Sequence, residues 1–293
     1  MELTISGRQE KIGYICAILA AVMFGSVSTI AKPLASSVNP LLLASLVYLV
    51  SALVLTPIAH KTPYKPATKR DYGLLLTVSF CGAVIAPLLY FIGLNHASAS
   101  DASLLSNGEG LFTVLLAMLF FKERVKKVGY VAIAIILIGL YIVTTDMQVA
   151  TIPQIHFEDM LIIISMMFWA VDNNLSRILT KRYDIARIAQ LKSAIGGSLL
   201  FLVAFFGFKV PLAVSTGDII PILLLGIVGF ALSLYFFLQA LKRINTVRTI
   251  MIFSLSTVVG LVAASIVLNE TIDQFQIIAA GMMIFGVYLL NRK

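Results

Sequence analysis

Ile12-Gly-Tyr-Ile-Cys-Ala-Ile-Leu-Ala-Ala-Val-Met-Phe-Gly-Ser-Val-Ser-Thr-Ile-Ala31 runs for twenty residues without a charge, with Arg8 and Lys11 just before it and Lys32 just after. A helix rises about 1.5 Å per residue, so such a run covers about 30 Å, the hydrocarbon thickness of a bilayer. It is longer than the apolar core of a signal peptide, about 7–15 residues, and reads as an uncleaved first membrane helix.

The same unit recurs along the chain. Charged clusters and proline-broken joins divide the 293 residues into apolar segments at 12–31, 39–59, 72–94, 99–121, 128–145, 158–176, 185–208, 218–241, 248–268 and 273–290. The joins are too short to hold a soluble domain, and the longest, 60–70, is polar, basic and broken by Pro63 and Pro66. Composition agrees: 59% of residues are hydrophobic and 12% charged, where a soluble protein carries about 25% charge. The expected fold is an all-α membrane protein of ten transmembrane helices.

The net charge of +8 would raise the question of nucleic acid in a soluble protein. Here the basic residues fall in the joins and report orientation instead. With the N-terminus cytoplasmic, 20 of the 22 Lys and Arg fall on the cytoplasmic side, and only Lys32 and Lys209 lie outside. An odd number of spans would scramble that separation. The reading is therefore ten spans with both termini cytoplasmic, in the plasma membrane. Cys16 and Cys81 both lie inside apolar runs, without metal-ligand spacing, and read as packing residues.

The second half restates the first. A shift of 147 superposes Gly93-Leu94 on Ala240-Leu241, Glu123 on Glu270, Gly139 on Gly286 and Tyr141 on Tyr288. A shift of 145 superposes Phe24-Gly25 on Trp169-Ala170, Ser28-Thr29 on Asn173-Asn174, and Lys32 on Arg177. Five helices per copy make the copies enter the membrane from opposite sides, the inverted repeat of many secondary transporters, whose substrate site lies near the midplane between the halves. The expected division is 1–146 for helices 1–5 and 147–293 for helices 6–10.

Phe-Lys-Glu-Arg (121–124) and Leu-Asn-Glu-Thr (268–271) each precede a helix closing on Ile-Gly-Leu-Tyr (138–141) or Phe-Gly-Val-Tyr (285–288). Met-Phe-Gly-Ser (23–26) and Met-Phe-Trp-Ala (167–170) open the two copies. In these motifs the chain resembles the paired EamA domains of the drug/metabolite transporter superfamily, over 12–145 and 158–291. The resemblance implies a ten-helix fold with an alternating-access central cavity, commonly exporting amino acids or other small metabolites. Gly110-Leu-Phe-Thr113 departs from the acidic-proline run such a protein would carry there.

Charges at bilayer depth are costly and face a cavity or a partner. Twelve residues separate Glu109 from Lys122, about 18 Å of helix and too short to span, so Glu109 lies within the fourth helix. By the same arithmetic Asp172 is buried near the inner third of helix six, and Lys192 lies shallowly on the cytoplasmic side of helix seven. Asp172 and Lys192 are expected at similar depth on consecutive antiparallel helices, as an ion pair, or Lys192 snorkels to the interface. Glu109 is either a substrate- or proton-linked carboxyl or a hydrogen-bonding lock between helices.

Uncharged candidates for the cavity are Ser26, Ser28 and Thr29 in helix one, and Trp169, Asn173 and Asn174 at matching positions in helix six. Asn107 in helix four and Tyr235 and Gln239 in helix eight join them, each also readable as interhelical glue. Glu123 and Glu270 read as caps of the helix that follows each. Pro87 is expected to kink helix three, while Gly196-Gly197 and Gly226–Gly229 permit close packing.

The sequence holds no His-Glu-x-x-His, Walker loop or Gly-x-Ser-x-Gly, and His60, His96 and His156 fall in joins. No catalytic residue, metal or cofactor is assigned. The expected partners are a small-molecule substrate and the lipid bilayer, with possible proton coupling and no nucleic acid. A sugar-phosphate or nucleotide-sugar exchanger is the second reading, and a membrane-embedded enzyme or lipid-handling scaffold the third.

Overall fold

The structure, a computed structural model, describes residues 7–59, 68–121, 127–145 and 156–290. Glu123, its proposed cap, and the basic residues at 61, 65, 122, 124, 126, 292 and 293 lie outside the described residues. Every regular element described is helical. Six helices are long and apolar enough to cross a membrane, from Arg8–Ser37 to Thr216–Ile244, and Lys127–Val143, Leu255–Leu268 and Gln274–Leu289 are shorter apolar helices.

In chain order the elements are α1 (Gly7–Gly25), α2 (Val27–Ser37), α3 (Pro40–Ala59), α4 (Lys69–Phe80), α5 (Ala86–His96), α6 (Ala99–Leu105) and α7 (Asn107–Phe121). They continue as α8 (Lys127–Thr145), α9 (Phe157–Leu179), α10 (Ile185–Leu202), α11 (Thr216–Leu224), α12 (Ser233–Phe253), α13 (Leu255–Val267) and α14 (Gln274–Leu290). Three π-helical turns interrupt this series: Cys81–Ile85 joins α4 to α5, Val203–Gly207 extends α10, and Leu225–Leu232 joins α11 to α12.

The exterior is apolar, unlike that of a protein in water, and small hydroxyl residues join the apolar interior. Leu53, Leu119, Phe206 and Ile266 are 70–74% exposed, while Ser45, Ser51, Ser165 and Ser193 are fully buried. An apolar exterior is what lipid requires, and small hydroxyl residues inside let helices approach and bond. Ser45, for example, donates to Gly197 O at 3.2 Å where α3 crosses α10.

Packing comes in matched sets. α1 packs on α12 and α13, as α9 packs on α5 and α7. α3 lies on α10 and on the π turn Leu225–Leu232, as α10 lies on α3 and on the π turn Cys81–Ile85. α8 pairs with α14. α1 and α13 approach backbone to backbone: a Cβ on Gly25 would stand 2.5 Å from Ser256 O, and one on Gly260 would stand 2.8 Å from Gly25 O.

The structure departs from the sequence reading in two elements. α12 runs unbroken from Ser233 to Phe253 across the join expected at 242–247. Lys-Arg-Ile-Asn-Thr-Val ends an apolar run but contains neither Gly nor Pro, so nothing in it ends a helix. Glu270, expected to cap the helix that follows it, caps α6 instead. Its carboxylate accepts from the Ala99 and Ser100 N–H groups at 3.0 and 2.9 Å and from the Ser100 hydroxyl at 2.6 Å. Asn269, in the left-handed region at φ 56°, turns the chain after α13 and leaves Glu270 beside α6 rather than α14. A carboxylate at free N–H groups is stabilised by the bonds and by the dipole whichever helix owns them.

The corner between α5 and α6 is held from the other side by Lys32. Its ammonium donates to the carbonyls of Leu94, Asn95 and Ala97 at 3.0, 3.0 and 2.6 Å. The carbonyls that end one helix and the N–H groups that start the next thus meet opposite charges at one corner.

Candidate functional site

The π turn ahead of Pro87 sets the geometry of the site. In an unbroken α-helix the Ala86 N–H would serve Gly82 O; in the π register it serves Cys81 O instead. The next residue along, which would serve Gly82 in that register, is Pro87, and proline has no N–H. The Gly82 carbonyl is therefore left for side chains. The Tyr48 hydroxyl donates to it at 2.7 Å and the Trp169 indole Nε1 at 3.0 Å. A single orphaned carbonyl fixes an α3 ring and an α9 ring at the wall of a cavity.

That cavity holds about 520 Å3 of space between atoms, open solvent at its mouth included. Glu109 of α7, Asp172 and Asn173 of α9, and Lys192 of α10 supply its polar groups, with Ser51 and Ser193. Phe24, Trp169, Phe230, Phe237 and Phe253 supply its rings. Phe24 meets Trp169 edge to face at 6.1 Å between centroids and Phe253 at 5.1 Å, and Phe253 meets Phe237 at 4.7 Å. Such contacts lock aromatic side chains against one another.

Asp172 and Lys192 form the expected ion pair. The ammonium lies on Asp172 Oδ2, both side chains are buried, and Oδ1 accepts from the Ser176 hydroxyl at 2.8 Å. Lys192 does not snorkel. Its side chain is 4% exposed, and burying a charged group is costly unless it is paired. Gly82 lies directly against the pair, because a Cβ there would occupy the space of the Asp172 carboxylate.

Glu109 occupies the first turn of α7, after the helix restarts at Asn107. Asn173 Nδ2 donates to its Oε1 at 2.6 Å. A smaller cavity, about 370 Å3 with its mouth, shares Glu109, Asn173, Phe237 and Phe253 with this lining. Glu109 thus borders both cavities, and its carboxyl has one hydrogen-bond partner among the described residues.

The remaining sequence candidates lie elsewhere. Asn107 lines the smaller cavity and donates to Met283 Sδ at 3.6 Å. Asn174 bonds to the Thr113 and Ala170 carbonyls at 3.1 and 2.9 Å, tying α9 to α7. Ser26 donates to Met23 O at 2.7 Å, and Ser28 and Ser103 share a hydroxyl bond at 2.5 Å. Thr29 is buried with its hydroxyl unpartnered among the described residues. The Tyr235 ring packs on Phe236 at 5.7 Å, and Gln239 accepts from Arg243. None of these last six side chains lines the larger cavity. Sequence reasoning passed over Tyr48, Gly82 and the phenylalanines, because in an α-helix Pro87 would free the Ala83 carbonyl, and only the π register moves the freed acceptor to Gly82.

Residues 11–145 and 156–292 each match the EamA-like transporter family. An uncharacterized transporter of Methanothermobacter thermautotrophicus is 30% identical over 95% of this chain and 85% of its own length. A probable amino-acid metabolite efflux pump of Salmonella typhimurium is 24% identical over 96% of this chain and 94% of its own. A solved crystal structure shares the fold, at TM-score 0.64 and 17% identity, over 94% of this chain and 95% of that one. A chain of apolar membrane helices that matches one transporter domain twice is a membrane transporter, and it belongs to the EamA-like transporter family.

Proposed function

We propose that the protein is a secondary active transporter that exports a small metabolite or amino acid across the plasma membrane by alternating access. The observation that carries this reading is the cavity among α1, α3, α7, α9, α10 and α12, whose ionisable groups come from helices of both sequence halves. In this reading ten spans form two inverted five-helix repeats, divided near residue 146, with both termini cytoplasmic. The matched packing of α1 with α12 and α13, and of α9 with α5 and α7, supports it, since a two-fold axis in the membrane plane exchanges such sets. The two π turns that flank the cavity support it too: the 147-residue shift carries Gly82 onto Gly229. The likeness to the Salmonella probable amino-acid metabolite efflux pump favours outward transport of amino-acid-like cargo.

Glu109 is the proposed proton carrier. It reaches both cavities, and a rocking of the halves would change which one is connected to each side of the membrane. A gradient must drive the cycle, since the sequence carries no nucleotide-binding loop. The reading is of a carrier rather than an enzyme. A phosphorylated-sugar exchanger is disfavoured because the one lysine of the cavity lining is engaged by Asp172. Purified protein in proteoliposomes, loaded with a panel of amines, amino acids and sugar phosphates, tests the proposal. An imposed pH gradient should drive net flux of at least one compound, and the absence of flux for the whole panel would overturn it.

A further inference from the structure

We propose that the Gly229 carbonyl is the hydrogen-bond acceptor for the cargo, which must therefore carry an N–H or O–H group. This rests on the transport reading and narrows it. The two π turns hold glycines related by the 147-residue shift, Gly82 and Gly229, but their carbonyls are served differently. A carbonyl oxygen has two lone pairs. Gly82 O accepts from the Tyr48 hydroxyl and the Trp169 indole, both on other helices. At the second turn the Ser233 N–H, which in an α-helix would serve Gly229 O, serves Val228 O and Phe230 O. The Ser233 hydroxyl bonds to Gly229 O from within its own helix. In the first turn the matching position is Ala86, which has no hydroxyl.

The two glycines have matching surroundings. A Cβ on Gly82 would meet the Asp172 side chain, and one on Gly229 would meet Val27 Cγ2 at 2.8 Å. The 145-residue shift carries Val27 onto Asp172, and with it Phe24 onto Trp169 and Tyr48 onto Ser193. In the places of the two donors at Gly82, Gly229 thus has a phenylalanine and a serine. The phenyl ring has no polar hydrogen. The serine is shorter than a tyrosine by a whole ring, and its hydroxyl lies 3.4 Å from that of Ser51 on α3. Phe24 and Ser193 both line the larger cavity, together with Gly229 and Ser233. The space vacated by the smaller side chains and the acceptor they do not serve belong to one wall.

A cargo that dries this wall without donating to it strips the oxygen of water and returns nothing, which costs affinity. A hydroxyl, an amine or an amide N–H restores the bond, in the place that the phenol and indole hold at Gly82. The Ser233 hydroxyl both donates and accepts, so it can turn to the cargo as the carbonyl changes partner. Ethers and tertiary amides offer acceptors only and gain nothing there.

Trp169, the chain's single tryptophan, lines the same cavity, so its emission reports binding. Two neutral pairs of nearly equal body differ in the donor alone: 2-phenylethanol against its methyl ether, and 3-phenylpropanamide against its N,N-dimethyl amide. Each is titrated into purified full-length protein. In each pair the donor should bind at least about tenfold more tightly. Ser193→Tyr sets a phenol in the place that Tyr48 holds in the first half, and should bring that preference below about twofold. Should the added ring close the cavity to every probe, thermal midpoints decide. Ser193→Tyr should then exceed Ser193→Phe by about 2 °C or more, since only the phenol donates to Gly229 O. Equal affinity within both pairs in the wild type, a preference retained in Ser193→Tyr, equal midpoints for the two ring variants, or no response to any probe would each overturn the inference. Flux separates the two readings. A donor preference in binding without any flux removes the transporter reading and keeps the site. Flux of the ether or the dimethyl amide as fast as that of its donor partner removes this assignment alone.

Discussion

Trp169 Nε1 donates to the carbonyl of Gly82 across 3.0 Å, and the carbonyl is available because Pro87 cannot donate to it. Two residues on α9 and on the π turn are thus coupled through a third. Pro87→Ala supplies the missing N–H and lets the helix close over Gly82. Stability should hold or rise, since proline in a helix interior costs about 3 kcal/mol. Trp169 should lose its acceptor, with a shifted emission maximum and cargo affinity about three- to tenfold weaker. Emission identical to wild type would show that the π register does not depend on Pro87.

Gly82 and Gly73 make opposite predictions although both are helical glycines in the same span. A Cβ at Gly82 would enter the Asp172 carboxylate, whereas a Cβ at Gly73 meets nothing within 4 Å. Gly82→Ala should destabilise by about 1–3 kcal/mol through overpacking and disturb the Asp172–Lys192 pair. Gly73→Ala should stabilise by about 0.5–1 kcal/mol through helix propensity. Thermal midpoints in one detergent decide it, and equal shifts for the two variants would refute the close approach at Gly82.

Removing one member of the Asp172–Lys192 pair should harm the protein more than removing both. Asp172→Asn or Lys192→Met alone leaves a buried charge without its partner and should cost about 3–5 kcal/mol, whereas the double variant loses both charges together. A double-mutant cycle on thermal stability measures the coupling. Additive losses would mean that the two charges do not depend on each other.

The meeting of Asp172 with Lys192 was legible because it follows from counting. Charge positions and a fixed rise per residue determine depth, and equal depth on adjacent antiparallel helices brings side chains together. The π turns were not legible. Shifting one hydrogen-bond register at Cys81–Ile85 leaves the apolar pattern of 72–94 untouched, so no periodicity reports it. The partner of Glu270 was illegible for another reason. A carboxylate's preference for free N–H groups is local chemistry, but whether α6 or α14 provides them is decided by the turn at Asn269 and by tertiary packing. Ser28 and Asn173 occupy matching sequence positions, yet Ser28 bonds to Ser103 and Asn173 to Glu109. A repeat in sequence does not carry over the partner.

The asymmetry of basic residues makes a prediction about sidedness. In a background lacking Cys16 and Cys81, single cysteines at positions 65 and 126 should resist an impermeant thiol reagent applied to intact cells. One at Lys209, which lies past the end of the extended α10, should react. Labelling of positions 65 and 126 from outside would overturn both the cytoplasmic termini and the count of ten spans.

Glu109→Gln separates a carboxyl that carries protons from one that only joins helices. Glutamine keeps an Oε1 to accept from Asn173, so the α7–α9 bond at 2.6 Å survives in kind. What disappears is the exchangeable proton and the negative charge that returns when it leaves. If Glu109 only locks α7 to α9, pH-gradient-driven flux in proteoliposomes should stay close to wild type, because the lock is intact. If it carries the coupling proton, flux should fall by about tenfold or more while the thermal midpoint stays put, and whatever flux remains should no longer vary with pH. The pairing of unchanged stability with lost pH response is the signature that matters, since a misfolded variant would lose both. Asn173→Ala completes the test from the other side. It removes the bond and leaves the titrating group, so the coupling account requires pH-driven flux to persist there, whereas the lock account requires stability to fall in that variant by about 1–3 kcal/mol, as for a charged group's lost hydrogen bond.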